Sequence, residues 1–300
     1  MKGLKNILPH LAVFFVVTVW GSSFVFTKIL LNAGITAAQI FLLRFAIAYV
    51  FLMLYSVCQK SHRWFSDSFI DELKMVALGI TGGSLYFLTE NSAMNYTSAI
   101  NTSIIVNTCP LFTALAVAAI YKSEHVTRSQ LIGTVISLVG MAVVVLNGHF
   151  LLQLSPKGDM LAFLAMLSWV IYSLIMVKMS KRYDSILITR KVFFYGVLTI
   201  LPYFIFDPGM PPLSTLLRTD VLLNLLFLSV ISSTACFLLW NWAINQLGVV
   251  ITTNYIYLNA PATILFAWWL IDEPVTLWVL VGTALLIFGL YLINKKGQST

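Results

Sequence analysis

Apolar and polar residues follow one another along the chain in long blocks. Ten stretches of mainly apolar residues are separated by short polar breaks, and each is close to the roughly 20 residues that a helix needs to span a bilayer. The stretches run over 10–31, 36–57, 74–95, 98–121, 127–147, 158–178, 186–206, 221–245, 249–271 and 275–294. The pattern predicts an all-α integral membrane protein with ten transmembrane helices.

Composition supports a membrane protein and excludes a soluble one. Hydrophobic residues make up 59% of the 300 residues and charged residues only 10%, against about 25% charged in ordinary soluble domains. The longest polar breaks, near 59–69 and 207–220, are too short for a soluble domain. The lipid bilayer is therefore an expected partner.

The basic residues indicate how the chain is oriented. With a cytoplasmic N-terminus, 14 of the 18 lysines and arginines fall on cytoplasmic segments, three fall on outer segments, and Arg44 lies within a span. Such an excess marks the cytoplasmic side. We expect a multi-pass protein of the cell (inner or plasma) membrane with both termini in the cytoplasm. The net charge of +7 then reflects topology, and no nucleic-acid partner is expected.

The two halves of the chain repeat one another. Trp20 and Trp169 stand 149 residues apart, and seven further residues recur at offsets of 149 to 151. Those pairs are Pro110 with Pro261, Glu124 with Glu273, Val126 with Val275, Thr127 with Thr276, Leu131 with Leu280, Gly133 with Gly282, and Gly140 with Gly289. Five spans per half give the halves opposite orientations. The sequence thus predicts two inverted five-helix repeats, 1–150 and 151–300, around a central cavity, a plan typical of secondary transporters.

Several motifs resemble those of a known family. WGSSFVFTK in the first span, LLRF in the second, NYTSAINTSIIVNTCPLFTAL into the fourth and the glutamate-to-glycine spacing after it are similar to the EamA-like branch of the drug/metabolite transporter superfamily. The second half has SWVIYSLIMVK where the first has WGSSFVFTK, so the second match is weaker. The resemblance covers both halves. It implies ten helices around a central cavity and export of small metabolites.

Glu90 is the carboxylate that lies well inside a predicted span. A charged side chain at the bilayer centre costs roughly 2.5–3.5 kcal/mol on insertion scales, so Glu90 is expected to face a water-filled cavity or to have a partner. Arg44 and Lys28 fall in the same outer half of the membrane. Two interpretations stay open: a Glu90–Arg44 pair that locks helices together, or a Glu90 that faces substrate or protons.

Polar residues at repeat-related positions extend the candidate site. Asn241 stands 151 residues after Glu90, and Asn101 and Asn254 place amides on spans four and nine. We predict that these side chains line the cavity. The alternative is that they hold neighbouring helices together by hydrogen bonds.

Aromatic residues within the spans indicate the kind of solute. Trp20, Trp169, Tyr172 and Tyr257 are predicted to line the cavity, with core packing as the alternative. An aromatic wall suits amino-acid-like, aromatic or cationic solutes, because the ring faces attract cations.

Two prolines lie within predicted spans. Pro110 and Pro261 fall in spans four and nine, where each removes one backbone hydrogen bond of the helix. They are candidate hinges for alternating access, or else fixed kinks.

The sequence contains no motif typical of a metal-dependent enzyme or an ATP-driven pump. Three cysteines lack CxxC spacing, four histidines form no ligand cluster, and no phosphate-binding loop occurs. We expect no metal, no cofactor and no enzymatic activity. The expected function is secondary-active transport of a small molecule, with protons as candidate coupling ions. The expected assembly is a monomer or a homodimer. The alternatives are a proton-independent facilitator or exchanger and a membrane-embedded enzyme.

Overall fold

The computed structural model is helical wherever it describes regular structure. It describes residues 2–58, 63–93, 95–96, 102, 105–121, 127–146, 155–206, 209–259, 261–262, 265–266 and 276–294.

The helices follow the predicted spans. Those of the first half are α1 (Lys2–Asn32), α2 (Ala37–Cys58), α3 (Phe69–Gly79), α4 (Leu85–Ala93), α5 (Cys109–Ile120) and α6 (Arg128–Leu146). Those of the second half are α7 (Pro156–Arg182), α8 (Ser185–Ile200), α9 (Tyr203–Phe206), α10 (Leu213–Leu216), α11 (Thr219–Leu226), α12 (Cys236–Leu247), α13 (Val249–Asn254) and α14 (Leu277–Asn294). A 3-10 turn, Tyr255–Leu258, follows α13.

Four helical stretches of the described chain are long and apolar enough to cross a membrane. They are Ala37–Cys58, Pro156–Arg182, Ser185–Phe206 and Thr219–Leu247. Shorter apolar helices accompany them, among them Ile7–Ser23 and Arg128–Val143. The prediction of an all-α membrane protein is therefore confirmed, whereas the count of ten spans stays a prediction.

Some of the helices begin at residues whose side chains cap them. Ser68 accepts a hydrogen bond from the amide of Asp71 at the start of α3. Asp184 accepts one from the amide of Leu187 at the start of α8. Such caps satisfy amides that have no partner within the helix.

Glycines bring α6 and α14 into close antiparallel contact. A Cβ atom added at Gly133 would lie 2.5 Å from the carbonyl oxygen of Gly289, and one added at Gly140 would lie 2.8 Å from that of Gly282. No larger residue fits there without a shift. Gly133 thus contacts the repeat partner of Gly140, and Gly140 contacts the repeat partner of Gly133. This crossed pattern is expected if one symmetry operation relates the two halves.

Two π-helical segments interrupt long helical stretches at repeat-related positions. The first π segment, Ile80–Ser84, joins α3 to α4, and the second, Phe227–Ala235, joins α11 to α12. In each, a side chain from the opposite half donates to a backbone carbonyl. Ser168 donates to the oxygen of Thr81 at 2.8 Å, and Trp20 donates to that of Ser232 at 3.0 Å. π segments often mark functional sites within helices.

Both repeat-related prolines follow a departure from regular α-helix. Residues 107–108 form a turn, and Pro110 lies in the first turn of α5, where its missing amide removes no helical hydrogen bond. Pro110 therefore does not interrupt a continuous helix, contrary to the expectation from the sequence. Pro261 follows the 3-10 turn. The hinge roles of both prolines stay predictions.

Candidate functional site

A cavity lies between helices of both halves. Its empty volume is about 690 Å³, part of it open to solvent. It is lined by Trp20, Ser23, Thr27, Arg44, Tyr86, Phe87, Glu90, Asn91, Val106, Asn107, Cys109, Trp169, Phe237, Ile256 and Asn259. Four of the predicted site residues, Trp20, Arg44, Glu90 and Trp169, are among them.

Glu90 contributes a nearly buried carboxylate to this cavity. It is 5% exposed. The hydroxyl of Tyr86, one turn earlier on α4, donates to its Oε1 atom at 2.7 Å. Among the described residues, Tyr86 is the group that donates to this carboxylate.

Arg44 contributes a buried guanidinium from α2. Its Nε donates to Ser233 Oγ at 2.5 Å and its Nη2 to Ser232 Oγ at 2.9 Å. The ring of Phe87 lies 4.8 Å from the guanidinium carbon. These contacts hold the Nε and Nη2 side of the guanidinium against the second π segment.

Arg44 and Glu90 share the cavity without a direct hydrogen bond. Their hydrogen bonds go to the serines of the second π segment and to Tyr86, respectively. Lys28 belongs to α1, and its side chain lies outside those described. The cavity therefore brings together one basic and one acidic side chain.

Aromatic rings form a large part of the wall. Trp20 and Trp169, the repeat-related pair, meet edge to face with their ring centres 5.6 Å apart. Tyr86 lies 5.0 Å from Trp169, and Phe237 lies 5.7 Å from Trp20. This packing fixes the rings and offers their faces and edges to a bound molecule.

Asn241 and Tyr172 lie outside the cavity lining. Tyr172 donates to Asn241 Oδ1 at 2.6 Å, and Asn241 Nδ2 donates to Thr189 Oγ1 at 2.9 Å. Asn241 is 1% exposed. These bonds join α7, α8 and α12. A substrate contact for either residue stays a prediction, and the contacts present here are between helices.

The remaining predicted residues also lie away from the cavity lining or outside the described chain. Asn254 accepts from Thr134 at 2.9 Å and donates to the carbonyl of Val250 at 2.7 Å. Tyr257 is fully buried in a small cluster with Met141 and Leu286. Asn101 lies outside the described residues.

Several lining residues were not predicted from the sequence. Tyr86 could have been found, because it precedes Glu90 by four residues and therefore shares its helix face. Phe87, Phe237 and Asn107 carry no comparable local signal. Among the described residues, no group of three or more His, Cys, Asp or Glu side chains could hold a metal ion.

Comparison with known proteins identifies the family. The model of the EamA-like transporter family matches residues 7–146 and again residues 156–295. The chain belongs to the EamA-like transporter family. The resemblance read from its motifs is confirmed, and the double match treats the halves as two related units.

The relatives of this EamA-like chain are transporters by name. An uncharacterized transporter of Archaeoglobus fulgidus is 26% identical over 97% of this chain and 99% of the relative. A probable terminal-alkyne amino-acid exporter of Streptantibioticus cattleyicolor is 27% identical over 75% of this chain and 74% of the relative. A solved crystal structure, at 15% identity, matches with a TM-score of 0.79 over 96% of this chain and 98% of the other, which shows a shared fold. The family and these names indicate a membrane transporter rather than an enzyme.

Proposed function

We propose that this protein is a secondary-active exporter of small metabolites, either amino-acid-like or aromatic and cationic, that works by alternating access. The observation that carries the proposal is one cavity with a buried carboxylate, a buried guanidinium and an aromatic wall.

The geometry of the cavity supports an amino-acid-like solute. The carboxylate of the solute accepts from Nη1 of Arg44, and its ammonium group donates to Oε2 of Glu90. The side chain of the solute packs on Trp20 and Trp169. Charge-assisted hydrogen bonds of this kind are roughly twice as strong as neutral ones, so both ends of a zwitterion are recognised.

A named relative supports both the solute class and the direction. The relative from Streptantibioticus cattleyicolor is described as a probable amino-acid exporter. At 27% identity it favours amino-acid-like cargo and efflux here without identifying the solute.

The repeated features favour alternating access between two inverted halves. The crossed glycine contacts of α6 with α14 and the matched carbonyl contacts in the two π segments relate the halves to one another. Two similar, oppositely oriented units can rock about a central site and open it to each side in turn. We place ten spans in the plasma membrane with both termini in the cytoplasm.

Protons are the proposed coupling ions, with Glu90 as their binding group. A proton and the ammonium group of a solute then compete for the same carboxylate. The alternatives are a facilitator or exchanger that ignores the pH gradient and, with less support from the family, a membrane-embedded enzyme.

Efflux from proteoliposomes tests the proposal. Vesicles are loaded in turn with amino acids, aromatic cations and dicarboxylates, and efflux is followed with and without a pH gradient. We expect efflux of an amino-acid-like or cationic solute that the gradient accelerates. Efflux of that solute at equal rates with and without the gradient would favour the facilitator. Indifference to every solute, with a steady conductance instead, would overturn transport by alternating access.

A further inference from the structure

A groove lies at the end of the molecule where α3 and α8 begin. It shares no lining residue with the cavity described above. This groove runs between α2, the segment 63–69 and α8, and its empty volume, including open solvent, is about 1110 Å³. It is lined by Tyr49, Met53, Trp64, Phe65, Ser66, Ser68, Phe69, Glu72, Arg190, Lys191, Phe194 and Tyr195.

The acidic group of the groove is already neutralised. Lys191 Nζ lies 2.5 Å from Glu72 Oε1, and the hydroxyl of Tyr195 donates to the same oxygen. Burial raises the pKa of Glu72, but the hydrogen bonds from Lys191 and Tyr195 outweigh it and hold this pKa at about 2. Glu72 therefore stays ionised at neutral pH and compensates Lys191.

Arg190 makes no hydrogen bond with a carboxylate in the described chain, and Asp184 attracts it only at longer range. It is 3% exposed, and its Nη2 donates to the backbone carbonyl of Arg63 at 2.5 Å. Its guanidinium carbon lies 4.3 Å from the centre of the Trp64 ring. Its Nη1 is buried and has no hydrogen-bond partner in the described chain. A buried donor nitrogen without an acceptor is costly. The groove lining also holds two basic side chains, Arg190 and Lys191, against one carboxylate, Glu72, so it carries one net positive charge.

The surroundings of Arg190 are apolar and face outward. Phe65 is 80% exposed, Phe69 77% and Phe194 40%. In a membrane protein such side chains meet lipid at the level of the headgroups, where aromatic residues concentrate. The groove therefore joins an anion-deficient pocket to a surface that suits acyl chains.

We propose that this groove binds the headgroup of an anionic phospholipid, with a phosphate oxygen accepting from Nη1 of Arg190 and the acyl chains lying against Phe194 and Phe69. Basic pockets between transmembrane helices hold lipid headgroups in this way. The proposal depends on the membrane location of the chain and not on the identity of its cargo.

Competition between lipids tests the site directly. Purified full-length protein is titrated with phosphatidylglycerol or phosphatidylcholine, and bound lipid is counted by native mass spectrometry. We expect preferential retention of one phosphatidylglycerol, and about a tenfold or greater loss of that preference in Arg190→Gln. Both lipids carry the phosphate, and the positive charge of Arg190 favours the headgroup that lacks a choline cation. The control Arg218→Gln removes an exposed arginine that is paired with Asp220 and should keep the preference. Equal preference in wild type and Arg190→Gln would overturn the proposal.

A measurement on the wild-type protein keeps the test independent of any folding defect in the variant. Amide exchange of residues 63–68 is compared in nanodiscs of phosphatidylcholine alone, with added phosphatidylglycerol, and with added inorganic phosphate. We expect slower exchange with phosphatidylglycerol only. Equal exchange in all three would overturn the proposal, and protection by inorganic phosphate alone would assign the groove to a soluble anion instead.

Discussion

The two halves of this transporter place different chemistry at equivalent positions. Glu90 on α4 and Asn241 on α12 stand 151 residues apart, and each accepts a hydrogen bond from a tyrosine. Glu90 borders the cavity, whereas Asn241 is enclosed by its partners Tyr172 and Thr189. Equivalent positions of the repeat therefore have different surroundings, one bordering a cavity and one enclosed by neighbouring helices. Under the proposed function, the carboxylate at the cavity binds solute and the enclosed amide stabilises the fold.

The largest effect on stability is expected when a carboxylate is introduced in the second half, at the position equivalent to Glu90. Asn241→Asp places a carboxylate in a site that is 1% exposed and has no cation among its hydrogen-bond partners. An unpaired buried charge should destabilise the fold by about 3 kcal/mol or more. Thermal unfolding of the purified protein measures this loss, and acidification should partly restore stability because it neutralises the new group. Unchanged stability at neutral pH would contradict the contrast between the halves.

The reverse change removes the charge of the first half. Glu90→Gln should fold as the wild type does and slow efflux about tenfold or more, because the ammonium group of the solute loses a charged acceptor. The matched control is Thr89→Val, since the hydroxyl of Thr89 bonds only backbone carbonyls of its own helix. If Glu90→Gln and Arg44→Gln instead lose folded protein to the same extent, the two charges act as a structural pair.

The two tyrosines extend the comparison. Tyr172→Phe leaves Asn241 Oδ1 without its donor and should lower the free energy of unfolding by about 1–3 kcal/mol, with efflux per folded molecule unchanged. Tyr86→Phe should do the opposite, changing efflux a few-fold with little change in stability. Denaturation and efflux are measured for both variants. The measurements check that one substitution affects stability and the other affects transport. The same response from both tyrosines would show that they play one role.

The smallest effect concerns the first π segment. Ser168→Ala removes the donor to the carbonyl of Thr81 and should cost about 1 kcal/mol of stability. Ser173→Ala, on the same helix, removes a buried hydroxyl that has no hydrogen-bond partner among the described residues and should be neutral or slightly stabilising. Thermal unfolding of the two variants distinguishes them, and equal losses would mean that the contact with the π segment contributes nothing.

Much of the architecture could be predicted from the sequence, because spans and repeats are written in local patterns. The second span was predicted at 36–57, and α2 runs from Ala37 to Cys58. The carboxylate within the membrane, Glu90, and the tryptophan pair were likewise identified from hydropathy and spacing, and both border the cavity.

The partners of polar groups could not be predicted, because they come from distant parts of the chain. Arg44 reaches Ser232 and Ser233, which lie 188 and 189 residues away, rather than forming a hydrogen bond with Glu90. Asn241 and Asn254 are polar residues within apolar helices, like Glu90, yet each is satisfied by a neighbouring helix. Hydropathy shows that a polar group must be accommodated and does not show whether protein or solute accommodates it.

The most direct test of the central claim compares binding of an exported amino acid with binding of its deaminated analogue, which keeps the carboxylate and lacks the ammonium group. Affinities are measured for the wild type and for Glu90→Gln. If Glu90 holds the ammonium group, the variant binds the amino acid as weakly as the wild type binds the analogue, and the affinity for the analogue barely changes. An equal loss of affinity for both ligands would contradict the claim that Glu90 contacts the solute.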